Sequence, residues 1–229
     1  MSRPFAVFDI DGTLIRWQLF HAIVHSLGKT GQLGAGDFEA INTARLAWKN
    51  RGTTEGFHAY EQELVNRFLA ALPRVDPSVY DTACQAVFSE YKDQTFRYTR
   101  DLVRRLKGEG YLLFAISGSP QEVVSLLAQH HGFDDAIGCT FVRANGRFTG
   151  DGHTPIFDKK SALDTLVQKH STTYEESYAV GDSTSDAPML AAVTHPIAFC
   201  PDQQLYDTAQ KHHWPTVVER KNVIYEITR

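Results

Sequence analysis

The chain of 229 residues has room for one large domain, or for one domain carrying an inserted module. With 23 Lys and Arg against 27 Asp and Glu, its formal net charge is −4, so no global positive field exists to hold nucleic-acid phosphates or anionic lipid. Hydrophobic residues at 42% and charged residues at 22% are ordinary globular usage, which excludes wholesale disorder, collagen and coiled coil.

Residues 5–8, Phe5-Ala6-Val7-Phe8, are a short apolar run of the kind that makes a strand buried on both faces. Met1-Ser2-Arg3-Pro4 enters that run directly, so no signal peptide is expected. From residue 17 to 93 the pattern is helical. Leu19, Phe20, Ile23, Val24 and Leu27 form one stripe, residues 37–50 a weaker candidate, and Phe57, Tyr60, Leu64, Phe68 and Leu72 another. Asp76-Pro77 caps a further helix carrying Val79, Ala83, Val87 and Tyr91. Strand-like runs return at residues 112–116, 178–180 and 196–199. Between them, Ser119-Pro120-Gln121-Glu122 reads as a capping box with Pro at the first helical position, ahead of Val123, Val124, Leu127 and Ala128. Asn145-Gly146, flanked by Phe141-Val142 and Arg147-Phe148, predicts a hairpin with a type I′ turn. Over 158–170, Ala162, Leu163, Leu166 and Val167 mark one helical stripe.

Strands alternating with helices predict the α/β class, with a doubly wound, mainly parallel, Rossmann-like sheet. The expected division is an α/β core of residues 1–16 and 94–229, with residues 17–93 inserted as a helical bundle cap. Cys84, Cys139 and Cys200 are widely spaced with no C-x-x-C, which predicts reduced core residues and neither a disulfide framework nor a zinc knuckle. The longest apolar run, residues 111–116, is far short of the roughly 18 residues of a membrane span. A soluble, cytoplasmic protein is expected, with no nucleic-acid or membrane partner.

Chemistry gathers behind three of the strands. Asp9-Ile10-Asp11-Gly12-Thr13 follows the first; in an extended chain side chains at i and i+2 share a face, so both carboxylates enter one space, and Gly12 permits a tight exit. Ser117-Gly118 follows the second, where hydroxyl, amide and helix N-terminus make an anion site. Gly181-Asp182-Ser183-Thr184-Ser185-Asp186 follows the third and adds two carboxylates. Each of the last two clusters, taken alone, reads equally as an ordinary capped turn. Ligands of open parallel sheets bind beyond the carboxyl ends of the strands, where all three clusters fall. Four carboxylates at close range repel, and a hard cation with oxygen ligands, Mg2+, relieves that repulsion. Lys159 is placed to reach the same pocket as a point charge, with Lys160 beside it as a rival. Carboxylate nucleophile, cation and phosphate cradle together fit phosphoryl transfer.

In this order, Asp9-Ile10-Asp11-Gly12-Thr13, Ser117-Gly118, Lys159 and Gly181-Asp182-Ser183-Thr184-Ser185-Asp186 resemble the four signature motifs of the haloacid dehalogenase-like hydrolases. The helical insertion after the first motif resembles the cap of their phosphoserine phosphatase-like branch. The resemblance implies that Asp9 is the nucleophile that forms an aspartyl-phosphate, and that Asp11 protonates the leaving alkoxide and then deprotonates the attacking water. It implies that Ser117 and the Gly118 amide bind the phosphoryl oxygens while Lys159 neutralises charge. Mg2+ would sit on Asp9, Asp182 and the Asp11 carbonyl, with Asp186 a ligand through water or an orienter behind the ligands. Lys159 is preferred to Lys160 because Lys-x-x-Ala-Leu matches the family spacing. Asp11 implies a phosphomonoester with an alkoxide leaving group, since dehalogenase relatives lack an acid at that position.

The same resemblance carries substrate residues. The stretch from Tyr60 to Arg67 is similar to the cap helix of phosphoserine phosphatases and places their carboxylate-binding arginine at Arg67. Gln18 stands where those enzymes carry a Glu for the substrate ammonium, which argues against phosphoserine. Ser117-Gly118-Ser119-Pro120 departs from their Ser-Gly-Gly and is expected to alter the rim. His21 and His25 are read as a solvated helix face, His130-His131 and His212-His213 as surface residues, and Trp17, Trp48 and Trp214 as packing residues. The expected activity is therefore an Mg2+-dependent phosphatase acting on a small-molecule phosphomonoester. The alternatives are a phosphomutase or phosphotransferase, or a non-enzymatic receiver-like phospho-acceptor, which would also use a strand-end Asp cluster, a Ser/Thr and a Lys.

Overall fold

The computed structural model describes residues 3–51 and 56–227; the signal-peptide reading of Met1 and Ser2 falls outside them. The elements follow in order: β1 (Phe5–Phe8), α1 (Leu19–Lys29), α2 (Ala35–Lys49), α3 (Gly56–Ala71), α4 (Pro77–Tyr91), α5 (Arg97–Gly108), β2 (Leu112–Pro120), α6 (Gln121–His131), β3 (Asp135–Ala144) and β4 (Arg147–His153). After these come α7 (Lys159–Lys169), β5 (Tyr178–Gly181), α8 (Ala187–Leu190), β6 (His195–Phe199), α9 (Gln203–His212), β7 (Thr216–Arg220) and β8 (Val223–Ile227). No helix among the described residues is long and apolar enough to cross a membrane.

Two compact units divide the chain. The first comprises Met1–Gln18, Phe88–Cys139 and Thr154–Arg229. Its strands lie in the order β3-β2-β1-β5-β6-β7-β8, all parallel except β8, which returns antiparallel on β7. All four residues of β1 are buried, so the sheet is covered on both faces, as its unbroken apolar run requires. Phe5 and Val7 share one face and pack with Phe114, Ile116, Leu163 and Leu166. This is the expected α/β class with a mainly parallel sheet.

The second unit comprises Leu19–Val87 and Thr140–His153. The sequence-based division assigned the hairpin to the α/β core; its strand ends instead group with the helices, because Phe141 meets Phe68 and Tyr80 while Arg143 pairs with Asp81 at 2.6 Å. The hairpin itself is as expected: Asn145 and Gly146 both have positive φ, 51° and 74°, which a type I′ turn needs.

One local expectation changes, and two features are new. The capping box at Ser119 does not form: Ser119 and Pro120 end β2, Pro120 is the N-cap of α6, and no side chain caps that helix. Pro120 pairs with Cys139 of β3, so strand pairing wins over the local cap. The helix α5 and the pair β7–β8 were not anticipated. In α5 the buried positions Thr99, Leu102, Val103 and Leu106 make a narrow stripe in an otherwise basic segment.

Candidate active site

The end of β1 sets the first part of the site. The Asp9 amide donates to the Val180 carbonyl at 2.9 Å, continuing the pairing with β5, and the side chain is buried. Gly12 then turns at φ 84°, and its amide donates to the Ile15 carbonyl at 2.9 Å. A Cβ at Gly12 would also lie 2.1 Å from Asp182 Oδ2, so glycine is required by both backbone and space. Thr13 Oγ donates to Asp182 Oδ1 at 3.4 Å, and Thr99 Oγ donates to the Thr13 carbonyl at 2.8 Å, which ties the loop to α5.

Ser117 ends the regular part of β2 with its hydroxyl donating to Asp11 Oδ2 at 2.6 Å, while Ser117 Oγ accepts from the Ser119 amide at 2.9 Å. Ser119 and Pro120, where the chain departs from Ser-Gly-Gly, are buried at the end of β2. Lys159, at the start of α7 and 2% exposed, donates to Asp9 Oδ1 and to Asp186 Oδ1, each at 2.6 Å. Lys160 points elsewhere and pairs with Asp164 at 2.6 Å. Asp186 Oδ2 accepts from the amides of Asp182 and Ser183 at 3.1 and 2.9 Å and from the Ser183 hydroxyl at 3.0 Å. Gly181 makes room for it, since a Cβ there would lie 2.4 Å from Asp186 Cγ.

Asp9, Asp182 and Asp186 each offer a carboxylate oxygen within 4.8 Å of the others. Burial pushes the Asp9 carboxyl up to about 7; Lys159 pulls it down, while Asp186 and Asp11 push it further up. Burial, with Asp9 and Asp186 nearby, likewise raises Asp182 well above the usual carboxylate range. Burial alone would lower the Lys159 ammonium, but Asp186 and Asp9 outweigh it and raise it. Negative charge thus exceeds positive charge in this pocket. Among the described residues Asp9 Oδ2 is buried with no hydrogen-bond partner, and the ligand atoms that Asp9, Asp182 and Asp186 offer are all oxygens, which fits a hard divalent cation. Both oxygens of Asp186 are engaged in hydrogen bonds. The Asp11 carboxylate is not part of this triple; it faces Ser117.

The remaining candidates are held by their own contacts. Arg67, in the second unit, donates from Nε to Glu63 at 2.9 Å and from Nη1 to Asp37 at 2.8 Å. Gln18 ends the first segment of the first unit and is half-buried just before α1. His21 and His25 are not a solvated face: His21 is buried beside Phe57 and Tyr60, and His25 bonds the Tyr60 hydroxyl at 2.9 Å. Burial, with Arg45 and His21 adding, lowers His25 to about 4, so it is neutral. His130 and His131 hold Asp93 and the Lys92 carbonyl, each at 2.8 Å. Trp48 stacks on Tyr60, Trp17 on Tyr91, and Trp214 packs against Ala198, Leu205 and Ala209, all packing roles as read. The motifs also missed what holds them. Glu219 of β7 pairs with Arg16 and accepts the amides of Arg97 and Tyr98 at 3.2 and 2.8 Å, closing the N-terminus of α5 from far along the chain. No local pattern signals that contact.

Comparison with known proteins follows the same lines. The sequence pattern of the haloacid dehalogenase-like hydrolase family matches residues 6–191. A phosphoserine phosphatase of Archaeoglobus fulgidus is 30% identical over 211 residues, 91% of this chain and 56% of that protein. A histidinol-phosphatase of Neisseria meningitidis serogroup C is 26% identical over 223 residues, 94% of this chain and 98% of that one. A crystal structure of a protein of unknown function from Bordetella pertussis Tohama I superposes with a TM-score of 0.74 at 25% identity, covering 94% of this chain and 98% of that one. This chain spans about half the length of the curated relatives that match first. The family pattern covers most of its residues, and the chain belongs to the haloacid dehalogenase-like hydrolases.

Proposed function

We propose that this chain hydrolyses a small organic phosphomonoester, with Mg2+ bound, through a phosphoryl group carried on Asp9. The supporting observation is the state of the Asp9 carboxylate: Lys159 fixes Oδ1 at 2.6 Å, while Oδ2 is buried without a partner. One oxygen is oriented and the other is available. Mg2+ held by Asp9, Asp182 and the Asp11 carbonyl would keep Asp9 ionised and neutralise charge on the phosphoryl oxygens.

Asp9 attacks phosphorus; the Asp9 O–P bond forms as the bond to the leaving oxygen breaks, and Asp11 gives its proton to that oxygen. Water then attacks phosphorus, Asp11 takes its proton back, and the Asp9 O–P bond breaks. The short hydrogen bond from Ser117 to Asp11 supports this assignment by orienting the acid, and Lys159 and the Gly118 amide stabilise the phosphoryl charge. Phosphoserine is not the preferred substrate on this reading: Gln18 lacks the charge to meet an ammonium, and the Arg67 guanidinium already serves Asp37 and Glu63. A cytoplasmic setting is supported by three free cysteines.

The test is turnover of a panel of natural phosphomonoesters with Mg2+, by wild type and Asp9→Asn. The amide is nearly isosteric but cannot be the nucleophile, so turnover is lost while circular dichroism is unchanged. Activity of Asp9→Asn within tenfold of wild type would overturn the covalent route.

A further inference from the structure

We infer that Ile156 and Phe157 form an apolar rim that contacts the organic part of the substrate and selects phosphomonoesters with an apolar or aromatic leaving group. The inference rests on the phosphatase reading above and deepens it.

The polar half of the site recognises only what all phosphomonoesters share. Asp9, Asp11, Ser117 and Lys159 address phosphorus, its oxygens and the leaving oxygen, so discrimination falls to whatever lies beside them. The leaving oxygen must come within hydrogen-bond reach of the acid that protonates it, which places the carbon skeleton on the Asp11 side. Asp11 accepts from Ser117 at 2.6 Å, and Gly118 is the next residue. Ile156 lies over Gly118, with Cδ1 only 3.2 Å from where a Cβ on that glycine would stand. Ile156 is 38% exposed and Phe157, its neighbour, 90% exposed.

The turn carrying them is pinned at both ends. Pro155 is buried, and the Asp158 amide donates to the Pro155 carbonyl at 3.0 Å. Asp158 caps α7, accepting from the Ser161 amide at 3.0 Å and from its hydroxyl at 2.6 Å. Lys159 follows directly and is anchored on Asp9 and Asp186. A single exposed apolar residue needs no explanation. Here Ile156 packs against the glycine that follows Ser117, and Phe157 stands next to it, two residues before Lys159, so an exposed apolar pair borders the polar site. An alkyl or aryl group leaving from that side removes apolar surface from water on both partners.

The experiment compares 2-phenylethyl phosphate with phosphoethanolamine, two primary alkyl esters that differ by a phenyl group and an ammonium. Wild type is expected to favour the phenyl ester in kcat/KM. Phe157→Ala lowers kcat/KM for that ester about tenfold and changes the other by less than about twofold. Phe157→Leu retains most of the preference, and inhibition by inorganic phosphate, which has no leaving group, is unchanged in both variants. Equal loss on both esters, or no loss on either, overturns the inference while Asp9-dependent turnover stands. An unchanged ratio with Phe157-dependent self-association would show that a second copy covers the rim, and overturns it too. Absence of Asp9-dependent turnover of any ester overturns the phosphatase reading, and this inference falls with it.

Discussion

Asp9→Asn should stabilise the metal-free protein, and the gain should grow with pH. Asp9 is buried, and its carboxyl is raised from 3.8 to about 7, chiefly by burial. Below the unfolded value both states hold the proton, so ionisation carries no penalty. Between about 4 and 7 the folded state holds a proton that the unfolded chain has released, so stability falls as pH rises through this window. Above about 7 the penalty is complete. A rise of roughly three units, at about 1.4 kcal/mol each, sets an upper bound of about 4 kcal/mol. For a chain of this size that corresponds to a difference in melting temperature of roughly 8–16 °C. An amide has no ionisation to oppose and still accepts a hydrogen bond from Lys159. The assay is thermal unfolding of both proteins in EDTA from pH 4 to 8, read as the difference between them. The gap should open between pH 4 and 7 and stay level above. At pH 7, added Mg2+ should raise the wild-type melting temperature and leave Asp9→Asn nearly unmoved. A gap independent of pH, or one that widens toward acid, would refute the reasoning.

Lys159→Met leaves Asp9 and Asp186 without their shared cation and should cost about 3–5 kcal/mol of stability with loss of turnover, whereas Lys160→Met should leave both nearly unchanged; chemical denaturation and steady-state rates decide between the two lysines. Arg67→Ala should leave the ratio of kcat/KM for phosphoserine over phosphoethanolamine unchanged, because its guanidinium is taken by Asp37 and Glu63; a selective fall on phosphoserine would restore a carboxylate-binding role.

What the sequence determines by itself is local. Short apolar runs mark β1, β2, β5 and β6 because strands covered on both faces need no alternation. Asn145-Gly146 specifies its turn because both residues tolerate positive φ. The carboxylates at Asp9, Asp11, Asp182 and Asp186, and the serine at 117, were legible because their spacing after a strand end already implies a shared location. Where tertiary contacts compete with a local signal, the sequence misleads. Ser119 has capping chemistry, yet pairing of Pro120 with Cys139 keeps it in the strand. His21 sits off the apolar stripe of α1, yet Phe57 and Tyr60 from α3 bury it, because that helix is covered on a second side. The hairpin ends join the helical unit through Phe68, Tyr80 and Asp81, partners no pattern along 140–153 reveals. Lys159 and Lys160 are neighbours with the same chemistry, and only the rotation of α7 separates them. Burial of Leu163 and Leu166 sets that rotation and carries Lys159, four and seven residues earlier, to the inner face, leaving Lys160 with Asp164 outside.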